Sequence, residues 1–178
     1  MSQSSDARIA AGARLGYVAH ERDASSCRGA LVVLTLDGDP LDLVYTDPVP
    51  LGRLVETLLG PRLDAYLLAR VLVAPLLAQA RERPTLLCFE EPRLLLRRLS
   101  LDLPAVVLAE PDLPHRPDCW RPRQLGAERE AVWLGADSNG FPLGVLEEAR
   151  RGMAPAGLRE PFRQLRAAMA ALPREASR

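Results

Sequence analysis

Short runs of apolar residues alternating with polar ones occupy the first quarter of the chain and give way to a longer period near residue 50. "RLGYVAHERD" (14–23) reads as a strand that ends in the polar cluster "RDASSCRG". "ALVVLTLDGDPLDLVYTDPV" (30–49) reads as two strands joined at Asp37-Gly38-Asp39-Pro40, residues that favour a tight turn. These three strands form a predicted antiparallel meander. Beyond Pro50, Leu51, Leu54, Val55 and Leu58 recur at helical spacing, and Gly60-Pro61 stops that helix. Leu63 to Gln79 is apolar on nearly every side, which predicts a helix covered on two faces and kinked where Pro75 removes an amide donor.

The second half alternates. "TLLCFEE" (85–91) and "AVVLAE" (105–110) read as short buried strands, and "RLLLRRL" (93–99) between them has helical character. Strand, helix, strand is a crossover unit, and such units place their strands parallel. "LPHRPDCWRPRQ" (113–124) reads as a proline-punctuated loop, and "AVWLGAD" (131–137) as a further strand closed by Ser138-Asn139-Gly140. A short helix over 143–151 and a last helix with Pro161 in its first turn complete the chain. That last helix carries the stripe Leu158, Phe162, Leu165, Met169 and Leu172, and its other, Arg-rich face is expected to be solvated.

The predicted class is α/β: a three-stranded antiparallel meander followed by helices alternating with parallel strands. This order resembles the ribonuclease H-like fold, including its endonuclease V relatives. Enzymes of that fold hold metal with a carboxylate in the first strand, and "RLGYVAH" contains none. The resemblance therefore implies a topology and supplies no mechanism. "GYV" at 16–18, "YTDPV" at 45–49 and "EPFRQLRAAM" at 160–169 also resemble a group of uncharacterised bacterial proteins.

At 178 residues the chain suits one domain, here expected over 13–173 with flexible tails at 1–12 and 174–178. Basic and acidic residues balance at 23 each, so no global field favours nucleic acid or an anionic membrane. All the basic residues other than histidine are Arg, which excludes Schiff-base and P-loop lysine chemistry and fits the coding bias of a GC-rich genome. Three widely spaced cysteines do not read as a disulfide framework, and the polar N-terminal stretch carries no secretory apolar core. The cytoplasm is the expected compartment. The most apolar stretch, 66–80, is shorter than the ~20 residues that span a bilayer.

Two candidate sites follow. If the strands at 85–91, 105–110 and 131–137 run parallel, Glu90, Glu91, Glu110 and Asp137 leave one common rim. Clustered carboxylates suit Mg2+ or Mn2+, which permits a metal-dependent nuclease or phosphohydrolase with Glu90, Glu110 and Asp137 as ligands. The plainer reading is that Glu91 and Pro92 begin a helix, with Glu90 left for something more. The second candidate is the 113–124 loop, where Arg116, Trp120, Arg121 and Arg123 suit a protein interface better than nucleic acid, given the neutral charge balance. His20 beside Glu21 and Asp23 lacks a nucleophile, and His115 with Cys119 lacks the paired knuckle of a zinc site.

With no complete catalytic constellation, the sequence points to a non-catalytic binding module with a protein partner and no cofactor. The carboxylate nuclease is its rival. The helix at 63–80, apolar all round, also leaves room for a homo-oligomer.

Overall fold

The computed structural model describes residues 12–23, 25–60, 63–90, 103–109, 120–125, 130–135 and 141–172. Among them lies one eight-stranded sheet: β1 (Leu15–Arg22), β2 (Ser26–Leu34), β3 (Pro40–Tyr45), β4 (Val49–Pro50), β5 (Leu86–Phe89), β6 (Ala105–Ala109), β7 (Trp120–Leu125) and β8 (Glu130–Gly135). Spatial order is β3-β2-β1-β5-β6-β8-β7, with β4 pairing to β2.

The predicted meander is present. β1 and β2 pair antiparallel from Leu15↔Leu34 to Arg22↔Cys27, and β3 continues on the far side of β2. The turn between β2 and β3 closes as its residue types require: Gly38 adopts φ 90°, and the Thr35 amide donates to the Asp39 carbonyl at 2.9 Å. β5 runs parallel to β6, as the crossover predicts, and parallel to β1 on its other side.

Two expectations are corrected here. β8 pairs with β6 antiparallel, from Val106↔Leu134 to Ala109↔Ala131, so its C-terminal end lies at the start of β6. The strand that precedes Asp137 therefore runs away from the rim that Glu90 leaves. Second, part of the expected 113–124 loop is strand: Trp120–Leu125 forms β7, antiparallel to β8. Pro122 suggested irregular chain, but β7 is the last strand of the sheet, where a missing N–H can face away from the ladder.

Helices cover both faces. α1 (Arg53–Leu59) ends at Gly60, whose φ of 46° is a left-handed stop. α2 runs from Leu63–Tyr66 through the π-helical turn Leu67–Val73 into Ala74–Gln79. Pro75 thus coincides with a widening of the helix and not with its end, because the missing amide is absorbed at the junction between π and α turns. α3 (Phe141–Gly152) and α4 (Glu160–Ala171) lie on the opposite face.

The alternation of each strand sorts its residues between two cores. Tyr17, Leu86, Cys88, Val106 and Leu108 pack under α3 and α4, whereas Val18, Leu31, Val33, Leu87, Phe89 and Val107 pack against α2. On the α2 side, a Cβ on Gly29 would sit 3.2 Å from the Leu72 Cβ, so glycine allows the helix its close approach. On the other side, the predicted stripe is realised by Phe162, Leu165 and Met169 on α4 and by Leu158 just before it, all buried, while Leu172 at the end of the helix is half-buried. Each buried side chain contributes about 1.5–3 kcal/mol relative to exposure. Among the described residues no helix is long and apolar enough to cross a membrane.

Candidate functional site

Glu90 follows β5 on the side already taken by Leu86 and Cys88, so its side chain turns toward α4. There it meets a second stripe of that helix. Arg159, Arg163 and Arg166 are spaced four and three apart, one face round from the buried stripe. Arg159 Nη2 donates to Glu90 Oε1 at 3.5 Å, and Arg166 Nη2 pairs with Glu90 Oε2. Arg163 pairs with Glu160 one turn back. Together with Ala156 these residues line a pocket of about 400 Å³ at the end of β5.

The Glu90 side chain is 21% exposed, while Arg166 and Arg163 are 52% and 81% exposed. The carboxylate therefore forms the floor and the guanidinium groups the mouth. Among the described residues, three guanidinium groups and two carboxylates, Glu90 and Glu160, line the pocket. The arrangement can hold an oxyanion, since guanidinium presents a planar fork of donors that matches phosphate or carboxylate.

A second ion pair stands further along the same sheet face. Glu21 and Arg28 are direct cross-strand partners, and Arg28 donates to Glu21 Oε2 through Nε at 3.0 Å and Nη2 at 2.7 Å. Arg28 is 8% exposed, so this pair is built into the sheet. His20, by alternation, faces the α2 side and not Glu21's side. Asp23 anchors the β1–β2 connection: the Ser25 and Ser26 amides and the Ser26 hydroxyl donate to it and hold its pKa at about 2. Burial pushes the Cys88 thiol well above the usual cysteine range, which leaves it an inert core residue.

Of the predicted carboxylates, Glu90 is the one the structure describes; Glu91, Glu110 and Asp137 lie outside the described residues. Arg116 does too, and of Trp120, Arg121 and Arg123 the backbone alone is described, on β7. What the sequence reading missed is the role of Arg159, Arg163 and Arg166. Their four-and-three spacing was visible, but a charged stripe opposite an apolar one looks like a solvated face until a partner strand is known to end beside it.

The ribonuclease H-like resemblance implies a divalent metal, and the described residues do not fit one. No group of three His, Cys, Asp or Glu converges among them. β1 carries buried Leu15, Tyr17, Val18 and Ala19, and its one carboxylate, Glu21, is committed to Arg28. Glu90 already meets guanidinium at both carboxylate oxygens.

No protein-family model matches the sequence, and no curated protein matches it. Solved structures do match in fold. An Endonuclease V from Streptomyces avermitilis is similar with a TM-score of 0.56 at 14% identity, over 94% of this chain and 91% of that one. A protein of unknown function from Archaeoglobus fulgidus DSM 4304 gives a TM-score of 0.57 at 12% identity, over 89% and 97%. An Endonuclease V from Ciona intestinalis, in complex with an inosine-containing 24mer DNA, gives 0.47 at 11% identity, over 89% and 86%.

The chain thus shares its fold with an Endonuclease V, as its order of elements predicts. The same likeness corrects the reading as a non-catalytic protein-binding module, because the matching fold is that of a nuclease. The expectation of no cofactor is withdrawn with it, since enzymes of this class are metal-dependent. So is the argument from charge balance against nucleic acid, because a fold that matches over most of the chain is that of an endonuclease.

Proposed function

We propose that this protein is a cytoplasmic nuclease or related phosphohydrolase whose substrate lies across the rim where β5 ends. The observation that carries the reading is the guanidinium-lined pocket of Glu90, Arg159, Arg163 and Arg166. It stands at the carboxyl end of a parallel strand, where open α/β sheets bind their ligands, in a chain with an endonuclease V topology. Guanidinium groups position a phosphate backbone without reading its sequence.

Glu91, Glu110 and Asp137 stay with this proposal as the acidic residues that would act with Glu90. The antiparallel course of β8 places less weight on Asp137. No chemical step is assigned to a metal, because the described donors do not assemble one.

The test is hydrolysis. Labelled single- and double-stranded oligonucleotides, with and without deoxyinosine, are incubated with purified protein in Mg2+, in Mn2+ and in EDTA. Cleavage in at least one metal, abolished by EDTA and absent from a Glu110→Gln, Glu91→Gln double variant, is the expected result. Intact oligonucleotides and intact simple phosphoesters under every condition would overturn the proposal.

A further inference from the structure

We infer that the Glu90 pocket is a phosphate site that the protein keeps closed with its own carboxylate: Glu90 is a resident counter-ion, and an incoming phosphate takes its place on Arg166. The inference rests on the proposed function for the nucleic-acid origin of that phosphate, and on geometry for the rest.

The geometry begins with the α4 periodicity. The helix is held to the sheet by Phe162, Leu165 and Met169, all at most 3% exposed, so the arginines that share its turns have fixed backbone positions. Arg166 reaches inward to Glu90 yet remains half exposed, and Arg163 lies at the mouth, paired only one turn along its own helix with Glu160. Each guanidinium has five N–H donors, more than one carboxylate oxygen can use. The pocket of about 400 Å³ is far larger than the Glu90 carboxylate needs, and its side chains are polar or charged except Ala156. An oxyanion with two charges and three or four acceptor oxygens satisfies more of these donors than Glu90 does.

Glu90 has a reason to be present while the site is empty. Without it, the inward-reaching Arg166 would lose the carboxylate it pairs with, beside a core that includes Cys88 and Phe162. A carboxylate on a strand end is anchored and cannot leave, but it can release one guanidinium to a better acceptor. The contact to Arg159 is the long one, at 3.5 Å, so Glu90 is not held tightly on that side. This arrangement predicts an unusual sign: removing the negative charge at residue 90 strengthens anion binding, whereas removing the positive charge at residue 166 weakens it.

The experiment is calorimetric titration of the full chain with inorganic phosphate, pyrophosphate and a 5'-phosphorylated single-stranded 12-mer, all in EDTA. Wild type, Glu90→Gln, Arg166→Gln and Arg163→Gln are compared, with urea midpoints as the control for folding. Expected are saturable binding of at least one probe, affinity raised about threefold to tenfold in Glu90→Gln, and affinity lowered about tenfold in Arg166→Gln. Arg163→Gln, on an exposed residue, supplies the loss even if Arg166→Gln folds poorly. Equal or weaker binding in Glu90→Gln overturns the counter-ion role, and binding indifferent to both arginines overturns the site. The readout is independent of hydrolysis. Phosphate binding of the expected pattern without cleavage would refute the nuclease reading alone, and cleavage without phosphate binding would refute this inference alone.

Discussion

Truncating Phe162 to alanine tests the packing that carries the arginine stripe. Phe162 is 1% exposed, and its ring meets the Tyr17 ring edge-on with centroids 5.0 Å apart and planes at 75°. The substitution removes the ring from the interface between α4 and β1 and leaves a cavity there, because Tyr17 belongs to a strand held on both sides by β2 and β5 and cannot follow. A Phe→Ala change at such a position costs about 3–5 kcal/mol, of which the aromatic pair supplies about 0.5–1.5 kcal/mol. Against a total stability of about 5–15 kcal/mol, that is a large share.

In urea, with a slope of about 1–3 kcal/mol per molar, a loss of 3 kcal/mol moves the midpoint down by about 1–3 M. Circular dichroism and tryptophan fluorescence followed together give the midpoint and test for a single transition. Tyr17→Phe is the control: it keeps the ring and removes the hydroxyl, which donates weakly to the Met153 sulfur at 3.8 Å, and is expected to cost less than the Phe162 truncation, about 1 kcal/mol. A midpoint shift below about 0.5 M for Phe162→Ala, with the slope unchanged, would refute the placement of α4 on β1. The proposed pocket would fall with it, since the backbone of Arg159, Arg163 and Arg166 rides on the same helix.

Two further outcomes follow from local geometry. Gly152→Ala places a Cβ 2.5 Å from the Leu36 carbonyl oxygen and 3.0 Å from the Asp37 Cα, and backbone cannot yield cheaply, so a loss of about 1–3 kcal/mol is expected in urea unfolding. Gly144→Ala in the same helix meets nothing within 4 Å and should be neutral or stabilising by up to about 1 kcal/mol; equal effects at the two sites would contradict the packing. Asp23 has its pKa lowered from 3.8 to about 2, so its contribution to stability is complete above 3.8 and is lost as pH falls toward 2. Asp23→Ala should therefore narrow its stability deficit relative to wild type over that window, and a deficit that stays constant from pH 5 to pH 2 would count against the turn geometry.

Sequence alone determined what depends on near neighbours. The meander was legible because Asp37-Gly38 and the flanking alternation act over a few residues, and the α4 stripe because 162, 165 and 169 repeat within one helix. Parallel pairing of β5 with β6 followed from the length of the connection between them. Tertiary structure decided the rest. Nothing local says that β8 returns antiparallel to β6, because an apolar run reads the same in either direction. Nor does "LREPFRQLRAAM" reveal that Arg159 and Arg166 meet Glu90, which lies 69 residues from Arg159 along the chain. Backbone periodicity is written in each segment, but a charge acquires its partner only when the sheet closes and brings a strand end beside a helix face.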